Sequence, residues 1–476
     1  MGPLLFLLIW VWPDLFGMPA DAQVMLAVTC WIATWWITEA IPIPATSLLP
    51  LILLPLLQTM SIAEVSKSYA NPMVLLYMGG FMIAVTIEKW NLHKRIALII
   101  IHWIGTNSKK IVLGFMVATA FLSMWISNTA TSLMMLPIGI AVVSQLDGTD
   151  GKFMKGSPLG KSLMLGIAYA ASIGGIATLI GTPTNIILAS VVRELYGFEI
   201  SFSQWMSYGL PVALFLLIIC WWYLTSIALP SDEQADFSSG KAEIAKQIKD
   251  LGSLSLEEKR VSLVFVMVSL AWISRSLPVV KQNLPFLDDT IIALIGVLLL
   301  FIIPSSKRSE ALLDWKTAEK IPWGILILFG GGLSLAEGFK VTGLAEWIGS
   351  QFIYLDFIAF GLFLLIIVAA VNFLTEITSN VATASMLLPI LAAVSASMGV
   401  HPFGLMFGAT MAASCAFMLP VATPPNAVVF GSGYLEIKDM IRAGFWLNIF
   451  SIIVITLITR YALPFIWGLD LFQYPF

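Results

Sequence analysis

The chain has 476 residues, 59% hydrophobic and only 11% charged, with a mean hydropathy of +0.92. A soluble domain carries about 25% charged residues, so there is too little polar surface here for a water-soluble globule, and disorder needs the opposite composition. The net charge of −3, with no basic run and no acidic tail, leaves nucleic-acid binding without an electrostatic footprint.

The remaining class is an all-α polytopic membrane protein. Cys30, Cys220 and Cys415 lie singly in apolar runs, and His93, His102 and His401 are scattered. Neither a disulfide framework nor a metal cluster is indicated. The first apolar run, 2–12, spans about 17 Å as a helix, short of the ~30 Å hydrocarbon core. It is a span that begins upstream, tilts or stays incomplete. Pro13 and Asp14 follow it with no small-residue cleavage site, so no secretory signal is expected.

Further apolar segments are read at 22–38, 43–57 and 72–87. An amphipathic patch around His93, Lys94 and Arg95 follows. A hairpin-like pair comes next, 111–126 and 130–145, broken at Ser127-Asn128-Thr129. Segment 162–192 is broken at Gly181-Thr182-Pro183-Thr184-Asn185, and 204–229 closes the first half. The hydrophilic stretch 231–260 reads as a cytoplasmic linker. Beyond it lie 261–277, 286–303 and 321–338. A second hairpin-like pair, 355–376 and 382–398, is broken at Ser379-Asn380. Segment 402–432 is broken at Thr423-Pro424-Pro425-Asn426, and 441–467 is last.

The halves repeat. Residues 127–137 match 379–389 at seven of eleven positions, at an offset of 252. The same offset pairs Gly79-Gly80 with Gly331-Gly332. The Thr-Pro-x-Asn motifs at 182 and 423 pair at an offset of 241. Ordered matches of this kind indicate a duplication, a common architecture of secondary transporters. If each hairpin enters and leaves on one side, each repeat crosses five times. Five is odd, so the repeats are inverted, and about eleven transmembrane helices result. Nineteen of the 25 Lys and Arg then fall on the N-terminal side, including Lys152, Lys155, Lys307 and Arg308. The positive-inside rule makes that side cytoplasmic and puts the C-terminus outside.

A broken helix at membrane depth has to be buried or to line a wet cavity. Its free N–H groups suit a carboxylate, while unwound carbonyls suit Na⁺. Ser, Thr and Asn serve both, but they are also ordinary helix caps. Two breaks in register in each repeat favour a binding site near the midplane. Glu39, Glu376 and His102 are the main ionisable residues inside segments, with Glu337 and Glu346 near a segment end. Glu376 stands three residues before Ser379, where the first hairpin has Met124. No Arg or Lys lies at any break. The 17 Trp residues fall mostly near segment ends, as interfacial belts do. An enzyme would need a nucleophile with a base, or paired acids. A channel would need basic rings. The adjacent acidic pair near a span, Asp288-Asp289, has no partner histidine, the breaks carry no basic ring, and no nucleotide motif supports ATP-driven transport.

At these motifs the sequence resembles the divalent anion/sodium symporter family, over essentially its whole length and most closely its bacterial dicarboxylate branch. The resemblance implies two inverted repeats, two re-entrant helical hairpins, two broken helices and a homodimer working as an elevator. It implies scaffold segments at 1–105 and 261–353 and transport-domain halves at 106–230 and 354–476. It implies Na⁺ as the co-transported ion and C4-type dicarboxylates (succinate, malate, fumarate) as substrate, in the cell inner (plasma) membrane among lipid. An exchanger that needs no Na⁺ gradient, or a citrate or sulfate symporter, is the alternative. The first sodium site maps to Ser123, Ser127, Asn128 and Gly181, and the second to Thr375, Ser379, Asn380 and Ala422. Substrate carboxylates map to Asn128, Thr129, Thr182, Asn380 and Thr423, with Pro183 and Pro424 shaping the pocket. The second motif departs from the pattern: Val381 stands where the first has the hydroxyl of Thr129.

Overall fold

Apolar segments with no water to pair their backbone must close hydrogen bonds within themselves, and helices do so. The structure, a computed structural model, describes residues 1–12, 17–104, 107–146, 157–230, 238–306, 310–352 and 359–476. Among these residues the regular backbone is helical, apart from one isolated bridge between Pro304 and Ala311. The chain is an all-α polytopic membrane protein. Lys152, Lys155, Lys307 and Arg308, the first seven linker residues (231–237), and the segment boundaries near 105 and 353 lie outside the described residues.

In the first half, α1 (Gly2–Val11) lies along α2 (Ala20–Thr38). The segment expected at 43–57 is two pieces, α3 (Ile43–Thr46) and α4 (Leu49–Leu56). Pro44 and Pro50 each stand in a first turn, where a missing N–H costs least. There follow α5 (Ile62–Tyr69), opened by a Ser61–Glu64 capping box, α6 (Pro72–Lys89) and the amphipathic α7 (Leu92–Ile104). The first hairpin is α8 (Ser108–Ser123) and α9 (Asn128–Leu146), and the first broken segment is α10 (Pro158–Ile176) and α11 (Pro183–Tyr196). Helix α12 (Phe202–Tyr223) ends in a π-helical turn, Leu224–Ala228.

The linker itself carries a helix, α13 (Ser238–Asp250), which packs on α7 and α9. Its end is tied down by Arg95, whose buried guanidinium meets Glu258 at 2.7 and 3.1 Å and donates to the carbonyls of Leu251 (3.1 Å) and Gly252 (3.0 Å). The second half runs through α14 (Leu256–Ser274), α15 (Pro278–Asn283), α16 (Asp289–Ile302), α17 (Trp315–Ala318), α18 (Trp323–Val341) and α19 (Leu344–Phe352). Its hairpin is α20 (Phe360–Leu374) and α21 (Asn380–Ser397), and its broken segment α22 (Pro402–Ala413) and α23 (Pro424–Phe430). It closes with α24 (Ile437–Leu457), a π-helical turn at Ile458–Ala462, and α25 (Leu463–Trp467).

Seven helical stretches among the described residues are long and apolar enough to cross a membrane: Ala20–Thr38, Ile62–Lys89, Pro158–Ile176, Phe202–Ala228, Trp323–Val341, Asn380–Ser397 and Ile437–Trp467. Pieces of the hairpins and breaks are shorter. The 15 residues of α20 reach about 22 Å and the 12 of α22 about 18 Å, less than the ~30 Å core.

Buried apolar side chains form two clusters. The smaller joins α1, α2, α4, α5, α18 and α19; the larger holds both broken segments, α12 and α24, and also α6, α14 and α16. Helices α18 and α21 each give buried residues to both clusters, and Val381 and Ile390 of α21 pack against both, so the seam runs along these two helices.

Candidate functional site

Each hairpin tip turns where a helix begins on an Asn. At the first tip, Ser127 Oγ accepts from the backbone N of Ala130 at 3.2 Å, so this serine caps α9. Ser123 Oγ lies 2.7 Å from both Asn128 Oδ1 and the carbonyl of Ala171. A hydroxyl has one proton, so one of these two acceptors lacks a donor. With the amide turned over, Asn128 Nδ2 reaches Ser123 Oγ at 2.7 Å and the carbonyls of Ala171 and Gly181 at 3.3 Å. Three oxygens from α8, α10 and the loop before α11 thus converge on this side chain. Gly175 keeps the approach open. A Cβ there would meet Asn128 Oδ1 at 2.8 Å and the Gly181 carbonyl at 3.1 Å.

The second tip repeats the pattern. Thr375 Oγ1 lies 2.6 Å from Asn380 Oδ1 and 3.1 Å from the carbonyl of Ala413, again one proton for two acceptors. Ser379 is the N-cap residue of α21 but makes no side-chain capping bond. The breaks repeat as well. Asn185 Nδ2 donates to the carbonyls of Gly175 (3.0 Å) and Thr178 (2.7 Å). Asn426 Nδ2 donates to Ala416 (3.2 Å) and Leu419 (3.0 Å), the positions related by the offset of 241. Thr182 and Thr423 have matching extended backbones, φ −141° with ψ 146° and 148°, ahead of Pro183 and Pro424.

The two halves meet crosswise. Helix α11 packs against α21 and α22, and α23 against α9 and α10. Thr184 Oγ1 and Ser414 Oγ share a hydrogen bond of 2.8 Å, tying the first break to the second. The structure therefore brings together Ser123, Asn128 and Gly181 at one tip, and Thr375 and Asn380 at the other. Thr182 makes no side-chain capping bond, whereas the Thr423 hydroxyl accepts from Asn426 N at 3.4 Å. Ala422 is buried in the second break, with its N–H on the Leu419 carbonyl. Thr129 is half-buried one residue into α9, and Val381 packs at the cluster seam.

Sequence reasoning missed the partner carbonyls of Ala171 and Ala413, which no side-chain pattern signals. The partners of Asn185 and Asn426 were open to discovery, because both asparagines close the repeated motif. Glu376 is buried and surrounded by donors, a point taken up below. Glu39 is an exposed, left-handed C-cap of α2, and Glu346 is exposed. Glu337 lines a polar cavity of about 640 Å³ with Lys67, Arg193 and Glu194, away from the tips.

A family model described as the sodium:sulfate symporter transmembrane region matches residues 3–467. The chain belongs to this symporter family. The sodium-dependent dicarboxylate transporter SdcS of Staphylococcus aureus (strain USA300) is 47% identical over 480 residues, covering 99% of this chain and 92% of its own. That of Staphylococcus saprophyticus is 46% identical over the same shares. Among solved structures, the Alcanivorax borkumensis YdaH transporter superposes with a TM-score of 0.60 at 12% identity, covering 92% of this chain and 99% of its own. The Neisseria gonorrhoeae MtrF efflux pump gives 0.55 at 13%, over 84% and 83%. These two share the fold. The symporter is a transporter and not an enzyme.

Proposed function

We propose that this symporter carries C4-type dicarboxylates such as succinate, malate and fumarate into the cell together with Na⁺. The observation that carries the reading is the cluster of oxygens at each hairpin tip: Asn128 Oδ1 faces the oxygens of Ser123, Ala171 and Gly181, and Thr375 Oγ1 lies beside Asn380 Oδ1 and the Ala413 carbonyl. Turning the Asn128 amide over satisfies the first cluster with hydrogen bonds, and a cation among the oxygens satisfies it with the amide oxygen facing inward. The sodium-dependent dicarboxylate transporters at 47% identity support the choice of ion and substrate.

In this reading one Na⁺ is held by oxygens of Ser123, Asn128 and Gly181, with Ser127 closing the turn. A second is held by Thr375, Asn380 and the carbonyl of Ala422, with Ser379. The substrate carboxylates take the free N–H groups at the starts of α9, α11 and α21 and the hydroxyls of Thr129, Thr182 and Thr423. Pro183 and Pro424 present no N–H and fix the turn. Val381 meets the substrate with a methyl group and not a hydroxyl. No basic side chain comes from the breaks, so the ions neutralise the dianion.

For net positive charge to move inward with a dianion, more than two Na⁺ must accompany it, and each net charge then gains about 2.3 kcal/mol per 100 mV. Two further parts of the reading are a homodimer in the plasma membrane, N-terminus inside and C-terminus outside, and an elevator movement of the hairpin-bearing half. The seam along α21 is where such a movement would slide. Purified protein in liposomes is expected to take up labelled succinate under an inward Na⁺ gradient. Uptake that requires internal dicarboxylate and no Na⁺ would replace symport with exchange. Preference for citrate or sulfate would replace the substrate.

A further inference from the structure

Glu376 is 3% exposed, on the turn between α20 and α21. Its Oε1 accepts from the backbone N–H groups of Phe417 (2.7 Å) and Met418 (2.9 Å), and its Oε2 from that of Leu419 (3.0 Å). Asn448 Nδ2 of α24 adds a fourth bond at 2.7 Å. Among the described residues no Lys, Arg or His pairs with it. Three donors go to Oε1 and one to Oε2, so the carboxylate serves first as an anchor for N–H groups.

The first half shows what this carboxylate changes. Met124 stands at the position equivalent to Glu376, and α10 runs on to Ile176. The position equivalent to Ile176 is Phe417, yet α22 stops four residues earlier, at Ala413. The N–H groups that a continuing helix would use are held instead by Glu376. Backbone groups left unpaired at membrane depth are costly; the carboxylate takes three N–H groups of the unwound stretch, while Asn372, Asn426 and Tyr169 take its carbonyls. The Ala413 carbonyl, at the last residue of α22 before this stretch, accepts from Thr375 Oγ1 at 3.1 Å.

We infer that Glu376 is the positioning residue of the second cation site: it splints the hairpin tip to the unwound 414–423 stretch and holds Thr375, Asn380 and Ala422 in register. The inference rests on the cation reading above. At the first site the equivalent tie is a single neutral bond, the Thr178 hydroxyl donating to the Met124 carbonyl, so loss of this one charge acts on the second site alone. Glu376→Gln keeps the shape but sets an amide N–H₂ against a backbone N–H.

The test is Na⁺ titration of Glu376→Gln by thermal stabilisation in detergent, without substrate, and by succinate uptake in liposomes. The splint predicts a folded variant with a lowered melting temperature in choline and, beyond that, a Na⁺ midpoint raised about tenfold or more, the equivalent of one lost charge-assisted hydrogen bond. The steepness of the Na⁺ dependence falls as well. Asn448→Ala removes one donor and leaves the three backbone bonds. It is expected to raise the midpoint in the same direction by less, and it decides the matter if the glutamine variant does not fold. Unchanged Na⁺ midpoints in the folded variants overturn the splint and leave symport standing. A wild type indifferent to Na⁺ overturns both.

Discussion

Gly175→Ala adds one methyl group at the first tip. The new Cβ would sit 2.8 Å from Asn128 Oδ1, 3.1 Å from its Nδ2 and 3.1 Å from the Gly181 carbonyl. Ordinary C···O contacts are about 3.3–3.6 Å, so the amide has to retreat by about 0.5 Å, the tolerance within which a binding constellation must be held. The retreat carries Asn128 away from Ser123 Oγ and the Gly181 carbonyl. Losing one charge-assisted contact costs about 1.5–3 kcal/mol, and about 1.4 kcal/mol is tenfold in affinity. The Na⁺ midpoint is therefore expected to rise roughly 10- to 100-fold. The fold should survive, because the methyl meets a side-chain amide that can move. Gly174→Ala is the contrast: its Cβ would lie 2.3 Å from the Ala120 carbonyl, backbone against backbone, where α8 and α10 touch. That variant is expected to be lost in folding. The assay is succinate uptake against external Na⁺ in liposomes, paired with Na⁺-dependent thermal stabilisation. A folded Gly175→Ala protein with the wild-type midpoint in both would refute the placement of a cation between Asn128 and Gly181.

Asn128→Ala and Asn380→Ala are each expected to abolish transport while leaving the folded protein intact, measured by uptake alongside size-exclusion profiles; normal uptake in both would leave these asparagines as caps only. Val381→Thr restores a hydroxyl at the second tip and is expected to change succinate affinity or selectivity among dianions, read by competition; an unchanged profile would mean the side chain serves the seam and not the substrate. Arg95→Met leaves Glu258 buried without its partner, a change of about 3–5 kcal/mol, and is expected to lower the melting temperature with the Na⁺ midpoint unmoved.

The breaks were legible because their chemistry is local. Asn128, Asn380, Pro183 and Pro424 each begin a helix where the motifs said a helix should break, and the repeat made each half a check on the other. The C-terminal edges were not legible. The second break was read at Thr423–Asn426, but α22 ends at Ala413, because a carboxylate some 40 residues upstream holds the N–H groups of 417–419. Nothing in the local sequence reports such a bond. The same holds for α13, whose polar composition reads as linker but which packs on α7 and α9. Arg95 looked like one cation of an amphipathic patch, and its bonds to Glu258 and two linker carbonyls join residues more than 150 apart. Proline at 44 and 50 did carry a local signal for splitting segment 43–57, which its hydrophobicity masked.

The central claim is that both hairpin tips hold Na⁺ and that these ions carry the dianion inward. Its most direct measurement is labelled succinate uptake into liposomes holding the purified symporter, with an inward gradient of Na⁺ or of choline and a negative-inside potential. The account predicts accumulation in Na⁺, growing with the potential where more than two ions accompany each dianion, and none in choline. Equal uptake in choline would contradict it.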